Sequence, residues 1–230
     1  MSVAIVTDST AYLPVDLVAS KGIRVVPLHV VIGGKQFSEG VDVTTAEVAA
    51  ALRKFAPVST SRPSPQQFLD AYEAAAASGA DAVVSVHISA DMSGTVESAM
   101  LAASQSPIPV EVVDSRSIGM AMGYAVLSAA EAARQGQDAK TVAAIACSRA
   151  EAATVIFYVD TLEHLRRGGR IGAASALLGS ALAIKPLLEL ADGHIKPIEK
   201  VRTAARALSR EQTRIVRRLT LLTLRTQSSA

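Results

Sequence analysis

Small hydroxyl-bearing residues follow four apolar segments of this sequence, and these residue types can bind an anion. The hydroxyl-bearing segments that follow these runs are Thr7 to Thr10, Ser59 to Ser61, Ser89 to Thr95 and Asp114 to Ser117. In an open parallel sheet, ligands bind outside the carboxyl ends of the strands, which is where we expect these segments. Hydroxyl groups beside helix N-termini donate hydrogen bonds to anions, so the pattern predicts a site for a carboxylate or a phosphate.

The loop Ser93-Gly94-Thr95 is the best candidate among the four. Gly94 lets the backbone approach a ligand closely, and a helix that begins near Thr95 supplies free N–H groups. Ser, Thr and Asp also serve as ordinary helix caps, and capping explains most single loops of this kind. Four such loops at one edge favour a binding site.

Catalytic signatures are missing from the sequence: it has no G-x-S-x-G elbow, no phosphate-binding loop and no zinc-binding helix. We therefore predict no catalytic residue and no metal site. A serine-dependent hydrolase or transferase that uses Ser9, Ser61 or Ser93 with Asp8 is the alternative, and it needs a base that folding brings close. His87 lies in an apolar strand context, as does His29, and we interpret both as structural.

Strand and helix patterns alternate around the candidate loops. Val3 to Val6, Ala82 to Ile88 and Val110 to Val113 read as buried strands. Capping boxes predict helices after Thr44 and Ser64. Other predicted elements are a strand over 23–32, a hairpin turn at 33–34, and helices over 95–103, 118–134 and 138–148. Strands that lack a polar face indicate an α/β fold, with a parallel sheet in a three-layer N-terminal lobe.

The pattern changes near residue 150, where we place a boundary between two lobes. The N-terminal α/β lobe is predicted over 1–150, and a smaller, mixed α/β C-terminal lobe over 151–230. The second lobe contains the glycine-rich segment Arg167 to Gly172. Asp192-Gly193 lies between two apolar runs, which predicts a β-hairpin.

Composition limits the class of protein and its location. Half of the 230 residues are hydrophobic, enough for a substantial core, yet no apolar run approaches the roughly 20 residues that span a bilayer. With Cys147 as the single cysteine and no signal-like leader, we expect a soluble cytoplasmic protein. Residues 201–230 carry a net charge of +6, which leaves −4 on the remainder and argues against broad nucleic-acid binding.

Six short segments carry a resemblance to a known family. They are Thr7 to Thr10, Thr60 to Ser64, Ser93-Gly94-Thr95, Asp114-Ser115 with Gly119, Arg167 to Ile171, and Lys185-Pro186 before Asp192-Gly193. Together they resemble the DegV family, the fatty-acid-binding proteins that act as binding subunits of bacterial fatty acid kinase. The resemblance covers residues 3 to about 203, within a family domain that we take as 3–230.

The resemblance implies that a long-chain fatty acid lies between two lobes, with its carboxylate held by Ser and Thr hydroxyls. It implies no cofactor apart from this ligand, and an ATP-dependent kinase subunit as the partner that forms the acyl phosphate. Arg170 would face that kinase or the head group, although a surface arginine in a glycine turn is an equal interpretation. The ligand-binding residues implied are Thr60, Ser93, Ser61, Gly94, Thr95 and Ser9.

The C-terminal segment departs from the family pattern. Family members usually continue further, so we expect a shortened or altered C-terminus and an incomplete second lobe. Arg202, Arg206, Arg210 and Arg214 recur every four residues and would form a basic stripe on a helix. That helix could be solvated, dock a partner, or belong to a regulatory or nucleic-acid-binding protein.

Overall fold

The computed structural model describes residues 2–177, 185–201, 203–206 and 208–213. The chain forms two compact units, one that ends at Ala153 and one that begins at Thr154. Among the residues described, no helix is both long enough and apolar enough to cross a membrane.

The first unit alternates strands and helices over most of its length. A 3₁₀ turn, Ser9–Ala11, follows its first strand. Its strands are β1 (Val3–Asp8), β2 (Arg24–Val26), β3 (His29–Ile32), β4 (Lys35–Ser38), β5 (Val58–Ser61), β6 (Ala82–His87) and β7 (Val110–Asp114). Its helices are α1 (Val15–Ser20), α2 (Thr45–Arg53), α3 (Pro65–Ala77), α4 (Thr95–Ala103), α5 (Met120–Arg134) and α6 (Ala139–Glu151).

A parallel sheet with the strand order β2-β1-β6-β7 forms the centre of this unit. Every residue of β6 is buried, so neither face of this strand is exposed to solvent. Side chains of α5 and α6, such as Val126 and Val142, share a core with Val84 of β6. Phe68 and Ala99, from α3 and α4, share another core with Val83. The predicted three-layer α/β arrangement is therefore present.

A second, antiparallel sheet has the order β4-β3-β5. Our prediction of one strand over 23–32 is wrong, because the chain leaves the parallel sheet at Pro27 and re-enters strand structure at His29. Pro27 has no N–H to donate to a strand partner, which favours this break. Residues 59–61 are also not a loop at the parallel edge: they belong to β5, whose backbone pairs with β3.

Local sequence signals set the helix starts. Both predicted capping boxes are present, with Thr44 bonded reciprocally to Glu47 and Ser64 to Gln67. Helix α4 differs, because Gly94 at its N-cap has no side chain to bond the first turn. Its free N–H groups therefore need other partners.

The second unit contains an antiparallel sheet with the order β10-β9-β8. Asp192 and Gly193 have φ values of 53° and 82°, so the predicted hairpin turn is confirmed. Residues 204–206 and 208–213 are helical, whereas Arg202 and Arg214 of the basic stripe lie outside the described residues, as do 182–184 of the predicted strand. The elements are β8 (Val155–Tyr158), α7 (Glu163–Arg167), a 3₁₀ segment (Gly172–Leu177), β9 (Lys185–Ala191) and β10 (His194–Val201).

Candidate functional site

Asp8, the last residue of β1, is completely buried and joins two of the predicted loops. Its carboxylate accepts hydrogen bonds from the Thr10 backbone N–H at 3.0 Å and from the Thr10 hydroxyl. The other carboxylate oxygen lies 3.0 Å from His87 Nδ1 and 3.0 Å from the Ile88 backbone nitrogen. The carboxyl ends of β1 and β6 are therefore tied to one side chain.

His87 is a base of the kind that the serine-enzyme alternative needs, but it contacts Ser85 and not one of the serines named in that alternative. Its Nε2 lies 2.7 Å from Ser85 Oγ, which also accepts a bond from the Tyr72 hydroxyl at 2.9 Å. Burial raises the pKa of Tyr72 to about 12, so its hydroxyl remains a donor. Ser85, His87 and Asp8 have the contact order of a catalytic triad. All three are fully buried, so we interpret them as a structural network.

The Ser93 and Thr95 hydroxyls form a pair whose proton direction follows from burial. Their oxygens are 2.8 Å apart, and Thr95 is fully buried whereas Ser93 is only half-buried. A buried hydroxyl proton without an acceptor costs about 1–3 kcal/mol, so Thr95 is assigned as the donor to Ser93. The Ser93 proton is then free for a ligand. Thr95 acts through Ser93 in this arrangement.

Arg62, directly after β5, brings that strand to the loop that contains Ser93. Arg62 Nη1 donates to the Gly94 carbonyl oxygen at 3.2 Å and forms an ion pair with Glu97 in the first turn of α4. A Cβ atom on Gly94 would lie 2.9 Å from Arg62 Cδ, closer than real Cβ contacts. A side chain at position 94 would therefore displace Arg62, and the close approach to the Gly94 backbone is made by Arg62.

Thr60 lies on β5 opposite Val30, two residues before Arg62. It is exposed, and no residue that the structure describes bonds its hydroxyl. Side chains alternate along a strand, so Ser61 points to the other face, where it pairs with His29. Arg62, two residues after Thr60, thus contacts Gly94, the residue after Ser93, whereas Ser61 lies on the opposite face of β5 from Thr60.

Ser9 has a separate environment. Its hydroxyl donates to Glu39 at 2.6 Å and accepts from the Leu28 backbone N–H at 3.0 Å, so its proton is already used. Ser9 lines a cavity of about 340 Å³ that includes none of the other five predicted ligand-binding residues. Burial and the Glu39 carboxylate raise the pKa of Tyr12 in this cavity. The Ser9 hydroxyl therefore has internal partners that it does not share with Ser93.

Arg170 lies in the second unit, after α7, and is partly buried. Its Nη1 donates to the Gly168 carbonyl oxygen. The neighbouring Arg166 and Arg167 both pair with Glu163, whose pKa is lowered to about 2 by these hydrogen bonds. In the described ranges, no cluster of three or more His, Cys, Asp or Glu residues has the geometry to hold a metal ion.

Comparison with known proteins identifies the family of this chain. A model of the DegV family, described as uncharacterised proteins, matches residues 2–220. The chain belongs to the DegV family. A DegV domain-containing protein, SCO2569 of Streptomyces coelicolor, is 53% identical over 208 residues, which cover 90% of this chain and 74% of that protein. The predicted family is confirmed.

Solved DegV structures have the same fold. The fatty-acid-binding DegV family protein of Thermus thermophilus has 40% identity and a TM-score of 0.83, covering 90% of this chain and 74% of its own. DegV of Bacillus subtilis, described as a fatty acid binding protein, has 33% identity and a TM-score of 0.84, covering 94% and 77%. The predicted α/β DegV-like fold is confirmed.

Two features of this DegV site were not assigned from the sequence. Arg62 was noted only as part of the segment Thr60 to Ser64, and its pairing with Glu97, 35 positions away, left no local signal. Ser85 and His87 did leave a signal, because two polar residues alternate within an otherwise apolar strand. Such spacing places both on one face of the strand and indicates a shared buried network.

We expect Asp8→Ala to destabilise the first unit by about 3–5 kcal/mol, because four donors would lose a buried acceptor. Urea unfolding of the full chain measures this change. Asp16→Ala on the exposed α1 is the matched control and should stay within about 0.5 kcal/mol of wild type. Equal unfolding midpoints for both variants would contradict the assigned role of Asp8.

Proposed function

We propose that this DegV protein binds a long-chain fatty acid and holds its carboxylate with the hydroxyl groups of Thr60 and Ser93. The observation that supports the proposal is the contact of Arg62, two residues after Thr60, with Gly94, the residue after Ser93. Support comes from the Thermus thermophilus and Bacillus subtilis neighbours, both described as fatty-acid-binding.

The donors around this point suit a carboxylate. The Thr60 proton has no partner in the part of the chain described, the Ser93 proton is released by Thr95, and the N-terminus of α4 lacks a side-chain cap. Hydrogen bonds to a charged group contribute about 1.5–3 kcal/mol each. Burial of an acyl chain contributes about 0.8 kcal/mol per CH₂ group. The tail therefore supplies most of the affinity, and the hydroxyls fix the position of the head group.

We propose further that an ATP-dependent kinase subunit phosphorylates the bound fatty acid to an acyl phosphate. The sequence contains no phosphate-binding loop, so the ATP chemistry would belong to that partner, and a reaction that consumes ATP would place both proteins in the cytoplasm. Arg170 is our candidate for the partner contact because it lies in the glycine-rich segment Arg167 to Ile171, one of the segments that carry the DegV resemblance.

The serine-enzyme alternative is less well supported. A nucleophilic serine needs an adjacent base, and the histidine beside Asp8 is buried and bonded to Ser85. Labelling of Ser93 by a serine-directed probe, lost in Ser93→Ala, would favour the enzyme instead. The regulatory alternative depends on a basic stripe of which two arginines lie outside the described residues.

The double variant Thr60→Ala/Ser93→Ala should bind oleate roughly 100-fold more weakly, because two hydrogen bonds to the carboxylate are lost. Isothermal titration calorimetry measures the affinity. The variant should still unfold cooperatively, with about 1–2 kcal/mol lost because Thr95 loses its acceptor. Ser59→Ala, on the other face of β5 from Thr60, is the control and should bind normally. Unchanged oleate affinity in the double variant would remove the site assignment.

Thr95→Val should weaken oleate binding about fivefold, because the Ser93 hydroxyl would lose the donor that directs its proton outward. Thr95→Ser retains a donor and should bind within twofold of wild type. Comparing the two by the same titration separates proton direction from side-chain volume. Equal affinities for both variants would mean that Thr95 only fills space.

Arg170→Ala should retain oleate and lose at least about tenfold in the rate at which a bacterial fatty acid kinase subunit phosphorylates it. ADP release in a coupled assay reports the rate. Lys196→Ala, a surface cation of the same unit paired with Asp192, is the control. If oleate bound to Arg170→Ala is phosphorylated at the normal rate, Arg170 does not contact the partner and is a surface residue of a glycine turn.

A further inference from the structure

Arg62 retains unused hydrogen-bonding capacity at the candidate site. Its Nη1 contacts both the Gly94 carbonyl oxygen and the Glu97 carboxylate. Among the described residues, Nε and Nη2 have no acceptor, and 44% of the side chain is exposed. A guanidinium group has five N–H donors in a planar fork that matches a carboxylate. Several of these donors therefore remain for a ligand.

We infer that Arg62 makes this site prefer an anionic head group over a neutral one, and that Glu97 sets how strong the preference is. The inference rests on the proposed function, because it concerns the same carboxylate. It adds a specificity residue that the hydroxyl groups cannot replace. Thr60 and Ser93 can donate to an alcohol oxygen as well as to a carboxylate, so by themselves they discriminate weakly between the two.

Glu97 limits the effect of Arg62. Its carboxylate neutralises the guanidinium and lies in the first turn of α4, where it also offsets the positive end of the helix dipole. An incoming carboxylate must share Arg62 with Glu97. Replacing Glu97 by Gln keeps an oxygen acceptor for Arg62 but removes the competing charge. The Gly94 carbonyl contact continues to hold the guanidinium near the loop.

The position of Arg62 on the chain strengthens the assignment. It follows Thr60 by two residues, directly after β5 ends at Ser61. Gly94 leaves the space that the Arg62 side chain occupies, since an added Cβ would lie 3.0 Å from Arg62 Cζ. Arg62 and Gly94 are thus in contact, and each lies within two residues of one of the two proposed hydroxyl donors.

The test compares oleate with oleyl alcohol, which have the same chain and differ in head-group charge. Dissociation constants are measured at pH 8 for the full chain and for Arg62→Gln, Glu97→Gln and the double variant. Arg62→Gln should weaken oleate about fivefold and Glu97→Gln should tighten it about fivefold, the size expected for an exposed charge pair. Oleyl alcohol should change less than twofold in each variant. The double variant should match Arg62→Gln, because Glu97 acts through Arg62.

The opposite signs separate recognition from damage to the fold, since a misfolded Glu97→Gln protein could not bind oleate more tightly. If both variants leave oleate unchanged, or shift oleate and oleyl alcohol equally, Arg62 is not the specificity residue, and the proposed function still stands. If wild type binds neither probe, the proposed function fails and this inference fails with it. The result that supports the inference is a change in the dissociation constant of oleate without a matching change for oleyl alcohol, which has the same chain.

Discussion

The buried carboxylate of Asp8 is the constraint on which the candidate site depends. An isolated buried charge is unfavourable, and Asp8 is stabilised because four donors from two strand ends converge on it. One of these donors is the Ile88 backbone N–H, at the point where β6 gives way to the loop that contains Ser93. The polar chain from Tyr72 through Ser85 and His87 ends at the same carboxylate, so a core network sets where the loop begins.

In the site that we propose for the fatty acid head group, recognition is divided among groups with different physical roles. Hydroxyls at Thr60 and Ser93 give direction, because each has one proton to donate. The guanidinium of Arg62 gives charge, and Glu97 restrains it. The acyl chain of the proposed ligand would give most of the binding free energy through burial. Under the proposed function, neutral donors and a cation that is partly neutralised by Glu97 would hold the head group only moderately, and moderate binding suits transfer of the ligand to a partner.

The sequence predicted correctly those parts of the molecule that local patterns determine. Capping boxes at Thr44 and Ser64 and the Asp192-Gly193 turn are set by neighbouring residues, and all three are present. The contacts that the sequence did not predict are long-range. Ser59 to Ser61 has no apolar alternation, and only its pairing with β3 makes it a strand. Ser9 shares a residue type with Ser93, but Glu39, 30 positions away, takes its proton.

This contrast explains why a hydroxyl-rich segment is an incomplete predictor of a binding site. A hydroxyl group can bind a ligand only when the fold leaves its proton without an internal acceptor. Thr60 meets this condition among the described residues, Ser93 meets it because Thr95 donates to it, and Ser9 does not. Neighbours far apart in sequence decide each case, so the count of serines and threonines identifies candidates, and the direction of their protons selects among them.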